Sequence, residues 1–214
     1  MHRLPRALAG RLGAWRSQVR AWAYRQPAWL GRQVVREFWD QQAASIHARW
    51  GDERHDVERI GEVIERLGAR RILDVGCGSG RLFPLYQAKG ARVLGIDLSA
   101  EALALAAERY PDVELRRLSV EALDDPVGSF DLAVCNRVLQ HVPAHAITAA
   151  IRGLCRVSTA AYVNELSDSD AVDEEFYMLR HDYVQLFAAQ GWTEMDEGRI
   201  GRQTWRLFTS AGSA

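Results

Sequence analysis

Apolar positions in the second half of the chain alternate between short blocks and longer stripes at helical spacing. The blocks near 71–75, 92–97, 113–118, 130–135 and 160–165 read as strands. Between and after them, 81–89, 99–109, 144–153 and 179–190 read as helices. Short strands separated by helical runs predict an α/β domain on a parallel sheet with right-handed crossovers. Ahead of the first strand, Val57, Ile60, Ile64 and Leu67 line one face of a helix from about Asp52 to Leu67, and Gly68 supplies its stop. Thr193 to Thr209, split by Gly198 and Gly201, reads as a closing antiparallel hairpin. Near the start, Leu4, Leu8, Leu12, Trp15, Val19 and Trp22 recur at spacings of three and four with arginine over much of the remainder, a basic amphipathic helix. Pro27 interrupts it, and Gly31 to about Ala48 forms another helix carrying Trp39 and His47.

The first strand runs straight into Gly76-Cys77-Gly78-Ser79-Gly80. Three glycines on alternate positions let the backbone bend sharply and approach a ligand without Cβ interference, and a helix starting near Arg81 and Leu82 would point its amides into the turn. The spacing lacks the wider step of a dinucleotide fingerprint and the Gly-Lys-Ser/Thr ending of a phosphate loop. Pyrophosphate is therefore the less favoured guest. An acid, Asp74, precedes the first glycine, and the second apolar run, Ala91 to Ile96, ends in Asp97, where a carboxylate can grip ribose hydroxyls. The competing role for Asp97, a helix cap, is better filled by Ser99.

Asp74-x-Gly76-x-Gly78-x-Gly80, Asp97 closing the second strand, and Phe130-Asp131-Leu132-Ala133-Val134-Cys135-Asn136 followed by Val138-Leu139-Gln140-His141-Val142-Pro143 together resemble the class I S-adenosylmethionine-dependent methyltransferases. Within that superfamily the chain most resembles the small-molecule type, with Phe38-Trp39-Asp40 and Trp50-Gly51 similar to the region ahead of the core in quinone-type and natural-product enzymes. The resemblance implies a Rossmann-like, doubly wound, mostly parallel sheet with a C-terminal antiparallel hairpin, preceded here by an N-terminal helical extension. It divides the chain into an extension, 1–50, which also offers a cofactor lid (Phe38, Trp39, Gln42, His47, Trp50), and a methyltransferase domain, 51–214. It implies S-adenosyl-L-methionine as cofactor. Gly76, Gly78 and Gly80 would pass under its methionine and ribose parts, Asp74 would orient the turn and the aminopropyl end, and Asp97 would hold the ribose. Leu98 would form a wall for the adenine, and Asn136 would lie at the methionine end. At the adenine amino group the family often places Asp; here the match is Ser119-Val120-Glu121, a hydroxyl where a carboxylate would bind more strongly. Ser119 and Val120 are carried over. Glu121 reads equally as a ligand or as a surface acid.

Charge changes this picture at the N-terminus. Residues 1–36 hold eight arginines and no acid, so a chain of net charge −1 carries −9 on the remainder. An acidic core argues against nucleic acid as substrate. Trp15, Trp22 and Trp29 recur every seven residues among the arginines, which suits an anionic membrane surface, an acidic partner, or packing on the chain's own acidic core. Cys77, Cys135 and Cys155 show no paired spacing and read as reduced, structural residues of a cytoplasmic protein. No run approaches the roughly 20 apolar residues that cross a bilayer, and arginines break any signal-peptide core.

Methyl transfer asks mainly for positioning and, at an oxygen acceptor, for removal of a proton. The candidate bases are His141, Glu165 and His181. His141 reads equally as a packing residue, and with Pro143 between it and His145 no metal site is expected. The acid- and aromatic-rich segment from Asn164 to Asp182 reads either as an acceptor lid or as a solvated loop followed by a packing helix. The expectation is methyl transfer to oxygen or nitrogen of a small or lipid-linked metabolite, cytoplasmic or peripheral at a membrane through residues 1–30. The alternatives are a protein or peptide methyltransferase, or a catalytically silent cofactor-binding scaffold.

Overall fold

The computed structural model describes residues 36–43, 56–166 and 178–210. The arginine-rich stripe, His47, Trp50 and most of the acidic segment after Leu166 therefore lie outside the described residues.

Seven strands form one sheet: β1 (Arg71–Val75), β2 (Arg92–Asp97), β3 (Glu114–Arg117), β4 (Leu132–Asn136), β5 (Ala160–Leu166), β6 (Trp192–Ile200) and β7 (Gln203–Ser210). Their order is β3-β2-β1-β4-β5-β7-β6. The first five run parallel, while β7 is antiparallel to both β5 and β6. The chain order reverses between β1 and β4, so a crevice opens at the carboxyl ends of those strands, where ligands of open α/β sheets bind.

Both faces of the sheet are covered, which is why the central strands read as continuous apolar runs. Leu73, Val75, Ala133 and Cys135 share one core with Ile147, Ile151 and Leu154 of α4 (Ile147–Val157) and Phe187 of α5 (Tyr183–Ala188). Ile72, Leu132 and Val134 face the other way. There they meet Ile60 and Ile64 of α1 (Val57–Leu67), Phe83 and Tyr86 of α2 (Phe83–Ala88), and Ala106 of α3 (Ala100–Arg109). Each fully buried Ile, Leu or Phe contributes roughly 1.5–3 kcal/mol, so these two layers supply most of the drive to fold.

The expected stops and caps hold at α1 and α3. Gly68 ends α1 in the left-handed conformation, with its amide on the Glu65 carbonyl, and Ser99 caps α3 by accepting from the Ala102 amide. Elsewhere the elements are displaced from their expected bounds. The helix expected over 81–89 is only α2, because Pro84 belongs in a first turn and residues 81–82 remain in the turn before it. The helix expected over 144–153 starts later, at Ile147, since the Pro143 carbonyl holds the Ala146 and Ile147 amides in a preceding turn. The hairpin turns at Gly201 and Arg202, not at Gly198. Gly198 lies inside β6, where an added Cβ would meet the Trp205 indole at 2.7 Å. Its role is close packing.

Candidate functional site

After Val75 the chain leaves the sheet through Gly76–Gly80 and is pinned back onto β2 by the Cys77 amide, which donates to the Ile96 carbonyl at 3.0 Å. Gly76, Gly78 and Gly80 all have positive φ, at 65°, 56° and 81°. Their surroundings differ. An added Cβ at Gly76 would lie 2.4 Å from Val138 Cγ2, and one at Gly80 2.6 Å from the Phe83 ring, so both glycines are set by packing. Nothing lies within 4 Å of a Cβ at Gly78. That glycine is bare toward open space, and its amide donates to Asp97 Oδ2 at 2.9 Å.

Asp97 ends β2 with its other oxygen accepting from the Ser99 amide at 2.8 Å. Burial pushes its carboxyl up, opposed by the Ser99, Gly78 and Leu98 amides. Two amide bonds leave lone pairs on both oxygens for further donors. Asp74 is 2% exposed, and its Oδ2 has no hydrogen bond. Burial pushes its carboxyl up to about 8, with Arg81 opposing. The Tyr86 hydroxyl, also without a hydrogen bond, lies near enough to act on Asp74, and an unsatisfied buried carboxyl oxygen costs about 1–3 kcal/mol. The residues fit S-adenosylmethionine on these two observations: the open side of Gly78 beside Asp97, and the unsatisfied Asp74 oxygen.

One strand over, Ser119 is buried, and its hydroxyl donates to Glu121. Leu98 is half-buried, with its carbonyl accepting from Arg117 Nε at 3.0 Å. Val120 sits in the core beside Leu123 and α4. The helical residues 36–43 lie across this region. Asp40 accepts from the Ala100 amide at 2.7 Å and pairs with Arg117, while the Trp39 ring lies 4.7 Å from that of His141. Trp39 thus lies beside the segment after β4, while Asp40 one residue on reaches the start of α3.

Asn136 belongs to a polar cluster that sequence reasoning missed. Its side-chain amide donates to Asp56 Oδ2, and its carbonyl accepts from Asn164 Nδ2 at 3.0 Å. Asp56 also receives two bonds from Arg81, at 2.7 and 2.8 Å, and lies 3.5 Å from Arg137. Burial pushes the Asp56 carboxyl up, but these donors and charges outweigh it and hold it below the usual range. Asp56 occupies the cap position of α1 without capping it. From sequence an acid there reads as a helix cap; nothing linear announces that its carboxylate turns to Arg81, 25 residues on. Arg137, next to this cluster, has φ 61°, the one positive value outside glycine among the described residues.

The three candidate bases converge on the segment after β4. Glu165 is buried, its oxygens accepting from the Val138, Leu139 and Gln140 amides at 3.0, 2.7 and 3.3 Å. Burial pushes it up to about 8, and these amides oppose the shift. His181 Nε2 donates to the Val142 carbonyl at 2.9 Å, and burial lowers its pKa. Burial lowers that of His141 to about 3, so this ring is uncharged at neutral pH.

Comparison with known proteins agrees with this layout. Residues 72–160 match a family model described as a methyltransferase domain. Among curated relatives, a ubiquinone biosynthesis O-methyltransferase of Paracidovorax citrulli is 45% identical over 83 residues, covering 36% of this chain and 35% of the relative. One of the same description from Alkalilimnicola ehrlichii is 38% identical over 134 residues, covering 53% and 54%. The chain thus spans about half or less of the length of the curated relatives it matches. The crystal structure of Burkholderia thailandensis 1,6-didemethyltoxoflavin-N1-methyltransferase, with bound 1,6-didemethyltoxoflavin and S-adenosylhomocysteine, superposes with a TM-score of 0.69. It is 21% identical and covers 82% of this chain and 87% of that one, a likeness of fold. The family model matched over residues 72–160, the curated relatives and the glycine turn make this part of the chain similar to the class I S-adenosylmethionine-dependent methyltransferases, and the solved structure shares its fold.

Proposed function

We propose that this chain is a methyltransferase acting on an oxygen of a small metabolite. The observation that carries the reading is Asp97, fixed between the Gly78 and Ser99 amides at the open side of the glycine turn. The curated relatives' shared description as O-methyltransferases favours oxygen over nitrogen. When bound, S-adenosylmethionine supplies a methyl group already activated on a sulfonium. The protein's share is placement: Asp97 accepts the ribose hydroxyls, the bare Gly78 backbone lets the ligand approach, Asp74 takes up a donor at the methionine end, and Ser119 receives the adenine. Asn136 acts there by holding Asp56. Glu165 and His181 serve as positioning residues, since both are engaged with the backbone of 138–142. His141 is neutral at pH 7, but its Nε2 accepts from the Gln140 side-chain amide at 3.2 Å and burial lowers its pKa to about 3, so it is a weak acceptor for a proton from the substrate.

The test is calorimetry with S-adenosylmethionine and its demethylated product, then transfer of labelled methyl to phenol and catechol acceptors against amines. Labelling of amines alone would overturn the oxygen assignment. Cofactor binding with no transfer to any acceptor would favour the silent scaffold. Asp97→Ala is expected to weaken cofactor binding by about 1.5–3 kcal/mol, the range for hydrogen bonds to a charged group; unchanged calorimetric affinity would remove Asp97 from the site.

Residues 1–50 are proposed as an extension to the domain, with the arginine-rich segment 1–30 drawn to an anionic membrane surface. Each Arg near such a surface contributes on the order of 1 kcal/mol. No helix among the described residues is long and apolar enough to cross a membrane, and contact through residues 1–30 would accommodate a lipid-linked acceptor. Co-sedimentation of the full chain with anionic vesicles at low salt is expected; its absence leaves a soluble acceptor and an acidic partner as the alternatives.

A further inference from the structure

Gln140 is 4% exposed, and its carboxamide can sit only one way round. The Leu166 amide donates to its Oε1 at 3.0 Å. A backbone N–H has no lone pair, so the atom facing it is the oxygen, and the NH2 end turns to His141, whose Nε2 lies 3.2 Å away. A carboxamide nitrogen only donates. His141 Nε2 therefore accepts, and the single proton of the neutral ring belongs on Nδ1. The backbone of Gln140 is held as firmly: its amide donates to Glu165 Oε2 at 3.3 Å, and its carbonyl accepts from the Leu179 amide at 2.7 Å.

The ring does not escape this arrangement by charging. Trp39 packs on it at 4.7 Å, and burial lowers its pKa to about 3. The charged groups on the elements around it are engaged elsewhere: Glu165 of β5 on the 138–140 amides, Asp40 on the Ala100 amide and Arg117, and Arg137 at Asp56. His181 donates to the Val142 carbonyl, and the Leu139 carbonyl also acts on it. A general base needs an atom within reach of the proton it takes and free to take it. The three residues that read as bases in the sequence all spend such atoms inside the protein.

Resting on the oxygen-acceptor reading above, we propose that Gln140 locks His141 as its Nδ1–H tautomer and so withholds it as a base, which restricts the acceptor to oxygens that ionise on their own, acidic phenols and carboxylic acids rather than alcohols. Gln140 is a positioning residue that acts through His141. The acceptor gives its proton to water before it is bound. Its anionic oxygen then forms the bond to the methyl carbon as the carbon–sulfur bond breaks; the sulfur keeps that electron pair and leaves as a neutral thioether, so no proton passes to the protein.

Two measurements on the full chain test this. The first is nitrogen NMR of the histidine rings at neutral pH, with the His141 signals identified by their loss in His141→Gln. The expected pattern is a protonated Nδ1 and a bare Nε2. Gln140→Glu keeps an acceptor for the Leu166 amide but turns a second acceptor to the ring, so the proton should move to Nε2 and the pKa of His141 should rise. The second is the pH profile of kcat/KM for a nitrophenol, which ionises near neutral pH, and for phenol, which ionises near ~10. Each profile should climb by about tenfold per pH unit up to the acceptor's own pKa, so the nitrophenol levels off near neutrality while phenol is still rising at about pH 9. A protein base would hold the midpoint at one pH for both. A shared midpoint, or a proton on Nε2 in the wild type, would overturn the proposal. Transfer to amines alone would refute the oxygen reading beneath it, and the acceptor class with it.

Discussion

Gly78→Val is expected to weaken S-adenosylmethionine binding by more than about a hundredfold in a protein that still folds. The reason lies in what surrounds this glycine and not its neighbours. At φ 56° an L residue pays roughly 1–2 kcal/mol, and a β-branched one more. Protein atoms leave the side of Gly78 empty, so the new methyl groups meet no neighbour and the fold is not forced apart. They fill the space the ligand needs, beside the amide that anchors Asp97. Strain and lost contact together are expected to lower affinity by more than about a hundredfold, or roughly 2.8 kcal/mol. Gly78→Ala adds one carbon and should cost about a tenth of that factor. The opposite result is expected at Gly76, where a Cβ would strike Val138 and the first effect is on stability. Calorimetry of the valine variant beside its melting curve separates the two cases. A folded Gly78→Val protein with wild-type affinity would show that the cofactor does not lie against this turn.

The parts of the fold and site legible in the sequence are those with a local cause. β1, β2 and β5 are apolar runs buried on both faces, the Ser99 cap is a contact between residues three apart, and Asp97 ends its strand. What failed to show was set by contacts between distant segments. Glu165 reads as a candidate base because it is an acid after a strand. Its hydrogen bonds to amides 27, 26 and 25 residues earlier give it a structural load that no spacing reveals. Glu121 leaves two readings open in the sequence, and the structure adds only that its carboxylate accepts from the Ser119 hydroxyl two residues earlier. Gly198 shows the same limit in another form: a glycine marks either a turn or a close approach, and the Trp205 indole decides for the second.

Asp56→Ala is expected to be the most destabilising of these substitutions. The side chain is 1% exposed and Arg81 16% exposed, so both charges are largely out of water. Removing one member of such a pair weakens the compensation of the other buried charge, at up to about 3–5 kcal/mol. For a chain of this size that lowers the melting temperature by roughly 10 °C. Asn136 loses its acceptor at the same time. The pH dependence follows from the sign of the shift. Asp56 is held below its ordinary 3.8 in the folded protein, so its stabilisation is complete above that value and is lost as the pH falls through the lower folded one. Melting curves of wild type and variant should therefore stay apart by a constant amount from pH 6 to 8 and converge only below about pH 4. Asp74 offers an internal compensation. Arg81 already acts on that carboxyl, which burial pushes up to about 8, and an Arg81 released from Asp56 that turned to Asp74 would draw it back toward the ordinary carboxylate range. A loss under about 1 kcal/mol at pH 7 would mean that this exchange takes place and that the Asp56 pair is not what holds α1 to the glycine turn.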